Sequence, residues 1–154
     1  MVEVKGCGTD AETVVNENGG KQSKTEYALH LIDGEFLSSI CSGLSISKIG
    51  KFMQSGDKIF LIEVIKELVV SAGLTYYTAI LRLGEVLKEG AAKYAVNNWR
   101  LIPQEEHINH ALIHYIAYVC DDKQDDHLGH CITRLMFAYA TETSPNFSYT
   151  RYIS

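Results

Sequence analysis

A chain of 154 residues with 46% hydrophobic content can bury one domain-sized core and is short for two. Its net charge of −5 and pI near 5.6 argue against binding long nucleic acid, which needs clustered Lys and Arg to replace phosphate counterions. A small anionic ligand stays open, because one local pocket of cations suffices for it. No apolar run approaches the roughly 18 residues of a membrane span and the polar N-terminus lacks an apolar signal core, so the expectation is a soluble, cytoplasmic protein with no membrane partner. Cys7, Cys41, Cys120 and Cys131 have no CxxC spacing, so neither a disulfide framework nor a structural zinc set such as Cys120, His127, His130 and Cys131 is expected.

Taken in order, residues 1–26 are rich in Gly, Asn, Lys, Glu and Thr and poor in large apolar side chains, which predicts an arm that is mobile or ordered by packing on a partner subunit. Residues 27–143 read as a single helical domain. Within it YALHLID at 27–33 is a short strand or a helix lead-in, and 35–43 and 46–54 are short helices with Ser45 or Ser47 as a cap. KIFLIEVIKELVVSA at 58–72 is β-branched, yet its length and the interleaved charges favour a helix, closed by Gly73. Thr75 then caps a long helix from about Tyr76 to Tyr94, with Leu83, Val86, Leu87, Gly90, Ala91 and Tyr94 as its apolar stripe and Glu85, Glu89 and Lys93 opposite.

The loop AVNNWRLIP interrupts the pattern at Asn97, Asn98 and Pro103. A helix over about Gln104 to Val119 carries its core seam through Ile108, Ala111, Leu112, Tyr115, Ile116 and Val119, with His107, His110 and His114 on a neighbouring stripe. Asp125 or Asp126 caps the last helix, whose seam is Leu128, Cys131, Ile132, Leu135, Met136 and Tyr139, with His127, His130 and Arg134 pointing elsewhere. An aromatic tail over 144–154 is expected to dock on the body or on a neighbouring subunit. The fold class is all-α, a helical bundle with one apolar stripe per helix, and the aromatic tail points to a homo-oligomer. Five of the six histidines fall within residues 107–130. That is more chemistry than three solvated helix faces require.

The blocks EGAAKYAVNNWR, HINHALIHYIAY and DDHLGHCITRLMFA, in that order, resemble the dATP/dGTP diphosphohydrolase N-terminal domain family, common in bacteriophages, with its pattern E-G-A-x-K-Y-G-x-x-N-W-R, A-x-R-H and H-L-x-H. The resemblance spans about 74–139. It implies an all-α domain that cleaves a deoxynucleoside triphosphate to monophosphate and pyrophosphate with a divalent metal, in the manner of nucleotide pyrophosphohydrolases of the MazG type, although the E-x-x-E and E-x-x-D pair of the latter is not intact. Glu89, Gly90, Ala91, Lys93, Tyr94, Asn98, Trp99, Arg100, Ala111, His114, Asp126, His127, Leu128 and His130 match the pattern. Ala95 stands where the family has Gly, and Ile113 where it has Arg before His114.

Such chemistry needs a metal on the triphosphate, a positioned water and cationic donors. Glu89 and Asp126, with Glu85 completing the set, are the carboxylates expected to hold Mg²⁺ or Mn²⁺, although Glu85 reads equally as a solvated helix residue. His114 and His130 are the expected catalytic histidines, as general base or Mn²⁺ ligand. Lys93 and Arg100 are placed on phosphates, with His110 on the same nucleotide-binding stripe. Trp99 is either a stacking ring for the base or a core anchor, and Asn98 either a base reader or a turn former. Two functions compete. One is hydrolysis of a small nucleotide by an enzyme that, if phage-encoded, works in the host cytoplasm; the other is sequestration of a nucleotide-derived host defence signal without turnover, which the missing Arg at 113 favours.

Overall fold

A computed structural model describes residues 3–142. In chain order it contains β1 (Thr13–Val15), β2 (Lys21–Ser23), α1 (Gly34–Ile40), α2 (Ile46–Ser55), α3 (Ile59–Ser71), α4 (Tyr76–Lys93), α5 (Gln104–Val119) and α6 (His127–Ala140), with short 3-10 turns at Leu29–Leu31 and Asn98–Leu101. The all-α reading holds, and the helix boundaries lie within a residue or two of the expected ones except at the end of α1, which stops at Ile40, three residues before the expected 43. The 27–33 segment is neither strand nor α-helix but holds the first 3-10 turn. The aromatic tail over 144–154 lies outside the described residues.

Helix starts follow local chemistry. Asp33 accepts from the Phe36 amide at 2.9 Å, Thr75 and Thr78 form a reciprocal capping box, and Asp126 accepts from the Gly129 amide at 3.1 Å. Ser45 occupies the cap of α2 but its hydroxyl goes to Glu67 instead. Helices α1 and α2 cross at two glycines: a Cβ on Gly50 would sit 2.7 Å from the Gly34 carbonyl oxygen and 2.8 Å from the Ser38 amide, so both positions require hydrogen at Cα.

The core joins α2, α3, α5 and α6 through Ile49, Phe52, Leu61, Val64, Ile108, Leu112 and Leu135, all essentially inaccessible, and α1 adds the buried Leu37. Helix α5 is its axis, buried around most of its circumference and not only along one seam. Several of its polar side chains are consequently inside, and Gln104 and Asn109 are hydrogen-bonded there. Gln104 Nε2 donates to the carbonyls of Ala138 and Thr141, and Asn109 donates to Tyr27 O while accepting from the Leu29 amide.

Helix α4 departs from expectation. Only Ala79 of it is buried, Ile80 and Leu81 are 63% and 68% exposed, and the stripe Val86, Leu87, Gly90, Ala91 and Tyr94 is half-buried along a cavity and is no core seam. An apolar period reports which face is shielded, not what shields it.

The N-terminal segment, expected to be mobile or packed on a partner, lies on its own chain's helices. β1 and β2 pair antiparallel with Val14 opposite Gln22. The Val4 amide donates to Asp122 at 2.8 Å, and Asn98 exchanges two hydrogen bonds with the Lys21 backbone at 2.7 and 2.8 Å. Val4 and Cys7 form a small buried cluster with Ile113 and Ala117. Side-chain-to-backbone bonds spanning roughly a hundred residues thus replace the apolar burial that its composition lacks.

Candidate functional site

A cavity of about 550 Å³ opens between the inner stripe of α4, the histidine face of α5, one face of α6 and the N-terminal segment. That volume suits a nucleotide-sized molecule. Four cations (Lys21, Lys24, Lys93 and Arg134) line it against two carboxylates, Glu89 and Asp125, so the cavity is locally positive in a chain of net charge −5.

Arg134 is its most informative cation. Its Nη1 donates to Gln22 Oε1 at 2.9 Å and to His107 Nδ1 at 3.0 Å, both neutral acceptors, and no carboxylate among the described residues lies within ion-pair distance. Burial pushes its pKa down to about 10, opposed by Tyr94 and Glu106, so it keeps its charge at neutral pH. The half-buried guanidinium is thus a charge left without a facing carboxylate among the described residues.

The histidines divide into two groups. His107 is fixed as one tautomer, since its Nε2 faces the Trp99 carbonyl at 3.0 Å and must donate, while Nδ1 accepts from Arg134. Burial, then the Arg134 charge, pushes its pKa down to about 3 despite its backbone hydrogen bonds. His110 is 4% exposed, lines the cavity, and its Nε2 has no hydrogen-bond partner. Burial first, then Arg134 and the neighbouring histidines, holds it well below the usual imidazole range, so it is neutral and its Nε2 awaits a partner.

The second group is a relay. His114 stacks on His130 with ring centroids 5.2 Å apart and brings its Nδ1 to 3.0 Å from His127 Nδ1. Burial, then His130, Arg134 and His127, pushes His114 down to about 3, with Asp125 opposing. The far nitrogen of His127 donates to Asp122 at 2.7 Å, both side chains being inaccessible. Burial would raise the Asp122 pKa, but amide donors from Gln124 and Val4 together with the Gln124 and His127 side chains outweigh it and hold the carboxylate ionised. His130 Nε2 lies 3.5 Å from Asp125. Burial raises the Asp125 pKa and the His130 contact and charge lower it further, for a net depression.

Glu89, Lys93, Asn98, Trp99, His110, His114 and His130 all line the cavity. Lys93 sits with its ammonium 5.2 Å from the Tyr94 ring. Asn98 spends its amide on the Lys21 backbone, which fits the turn-forming alternative and leaves little for a base edge. Trp99 stacks on Phe137 at 4.5 Å and carries the exposed Arg100 over its ring at 4.2 Å, an anchoring arrangement. Arg100 does not line the cavity, and neither do Glu85 and Asp126. Asp126 caps α6 and receives Arg82 through Nε at 3.1 Å and through Nη2. Glu85, Glu89 and Asp126 therefore do not converge into a ligand set for a hard cation; the group of three that does converge among the described residues is Cys7, His114 and His127. At the start of α6 it is Asp125, one residue earlier, that reaches the cavity.

Sequence reasoning missed Arg134, Asp125, Lys21 and Lys24. Arg134 lies one helical turn after His130, so the period that placed His130 also places Arg134 on that face. Nothing local marks Lys21 or Lys24, which reach the site through tertiary docking. Ile113, where the resemblance leads one to expect Arg, is 5% exposed against Val4 and Cys7.

Fold and cavity together define a small all-α domain with a cation-lined, histidine-rich cleft. The chain belongs to the family described as dATP/dGTP diphosphohydrolase, N-terminal, which matches residues 67–149, more than half of the chain and all of α4, α5 and α6. No curated protein and no solved structure matches it. No helix among the described residues is long and apolar enough to cross a membrane.

Proposed function

We propose that the cavity binds a deoxynucleoside triphosphate and hydrolyses it to the monophosphate and pyrophosphate. The observation that carries the reading is Arg134, charged, half-buried and without a facing carboxylate among the described residues, beside the unpartnered His110 Nε2. Arg134 and Lys93 hold phosphate oxygens, and His110 supplies a neutral N–H to the same groups. His130, oriented by Asp125, accepts a proton from the attacking water as the new P–O bond forms and the bond to the pyrophosphate oxygen breaks. The base sits along the half-buried apolar stripe of α4 and the N-terminal wall.

The family's activity implies a divalent metal, yet the three carboxylates expected to hold it are not assembled and the converging donors are a thiol and two imidazoles, softer than Mg²⁺ selects. That same observation favours a second reading, in which the cavity holds a nucleotide-derived signal and releases it unchanged. Phosphorus-31 NMR of the chain incubated with dGTP or dATP separates them: pyrophosphate and monophosphate are expected, and nucleotide recovered intact after binding and heat denaturation overturns hydrolysis in favour of sequestration.

A further inference from the structure

We propose that Cys7, His114 and His127 form a binding site for a zinc-class dication, with Asp122 behind His127 as its supporting carboxylate. The three ligand atoms, one sulfur and two Nδ1, lie within 4.8 Å of one another. His114 and His127 nitrogens are 3.0 Å apart, and the Cys7 sulfur is 3.9 Å from His127 Nδ1. Around a tetrahedral zinc with ordinary bond lengths, two nitrogens are about 3.3 Å apart and a nitrogen and a sulfur about 3.6 Å. The His114–His127 and Cys7–His127 separations therefore lie within a few tenths of an ångström of those distances, and Cys7 closes on His114 from no more than 4.8 Å.

The surroundings are those of a metal site. Nε2 of His127 is committed to the inaccessible Asp122 at 2.7 Å, which turns its Nδ1 toward the cluster and fixes the tautomer that leaves a lone pair there. Asp122 is in turn held by the Val4 and Gln124 amides and the Gln124 side chain, so the support is rigid. Two ring nitrogens 3.0 Å apart hold one hydrogen between them, and an ion replaces that contact as the His114 hydrogen moves to its other nitrogen. The thiol gives up its proton, so one proton leaves per ion bound.

Cys7 is delivered by a turn built for it. Gly6 has φ of +70°, and a Cβ there would meet Glu26 Cγ at 2.8 Å. This turn lies outside residues 67–149, so the thiol is supplied by a part of the chain that the family match does not cover. One thiolate and two imidazoles suit Zn²⁺, and equally Co²⁺ as its spectroscopic substitute. Three protein ligands leave a fourth position, and Cys7 and His114 both line the cavity. The inference stands apart from the nucleotide reading, because it is tested with metal alone.

The full-length chain, stripped of metal, is titrated with CoCl₂ and then ZnCl₂. One Co²⁺ per chain is expected, with a near-ultraviolet thiolate-to-cobalt band that Zn²⁺ abolishes. Cys7→Ser removes the band, Asp122→Asn keeps it but weakens affinity by about 10- to 100-fold, and Cys120→Ser changes nothing. Circular dichroism checks that each variant is folded. In the unaltered chain Zn²⁺ slows alkylation of Cys7, read by peptide mass, without slowing that of Cys41 or Cys120. Failure to retain Co²⁺, a band that survives Cys7→Ser, or Cys7 alkylation indifferent to Zn²⁺ overturns the site.

Discussion

Replacing Arg134 by Gln removes the charge that the cavity is built around while keeping a side chain able to donate to one of its two partners. In the structure the guanidinium bonds Gln22 and His107 at 2.9 and 3.0 Å and has donors left for a ligand. A hydrogen bond to a charged group is worth about 1.5–3 kcal/mol, so triphosphate affinity should fall roughly 10- to 150-fold. Deoxynucleoside, lacking phosphate, should bind the variant as it binds the parent, and the monophosphate should fall between them. Isothermal titration calorimetry at pH 7.5 with deoxyguanosine, dGMP and dGTP reads this, with thermal melts to account for any destabilisation from the partner left short of a donor. Burial pushes Arg134 down only to about 10, so the parent is fully charged in that assay. Equal losses for deoxyguanosine and dGTP, or none for dGTP, would refute the reasoning.

Asp126→Ala should destabilise the protein by about 1 kcal/mol through the lost cap of α6, with little added from the partly exposed Arg82 pair, and leave nucleotide affinity unchanged; a collapse of affinity in calorimetry would return Asp126 to the site. Gly50→Ala should lower stability by about 1–3 kcal/mol in urea unfolding even though Ala is the better helix former, because its Cβ meets the backbone of α1; a more stable variant would contradict the close crossing. Stability should also fall on acidification. His107 and His114 are pushed down to about 3 and His110 well below its usual range, by burial first, so below pH 6.5 the unfolded chain binds protons that the folded one refuses. Stability is complete above that pH and declines by up to ~4 kcal/mol per pH unit for the three between pH 6 and 4. Asp122, whose folded pKa is depressed, begins to lose its contribution only as the pH falls into the ordinary carboxylate range, at the acid end of that window. Unfolding midpoints in urea that are flat from pH 7 to 5 would count against buried neutral histidines.

Helix positions were legible because their signals are local. Thr75, Gly73 and Pro103 punctuate the chain, and α5 runs over the residues its apolar period marks. What that period cannot convey is the partner. Leu87 and Tyr94 carry the same pattern whether they face a core or a cleft, and α4 took the cleft. The site residues on α5 and α6 were within reach, since His110, His114 and His130 all line the cavity, and Arg134 required only that the period be followed one turn further. Asp125 against Asp126 was beyond it, because adjacent residues at a helix start diverge by about 100° and only the cap geometry decides which one enters the cleft. Cys7, Lys21 and Lys24 were invisible for a different reason: they reach the site through Asp122, Asn98 and Gln124, contacts that span from about 77 to 120 residues of chain.

The central claim is that phosphate binds where Arg134 and His110 meet. A crystal structure with a non-hydrolysable dGTP or dATP analogue, its α,β-bridging oxygen replaced by methylene, tests it most directly. The account predicts phosphate oxygens within hydrogen-bond distance of the Arg134 guanidinium and of His110 Nε2, with Lys93 drawn off the Tyr94 ring toward them. An analogue bound with its phosphates away from both side chains would contradict it.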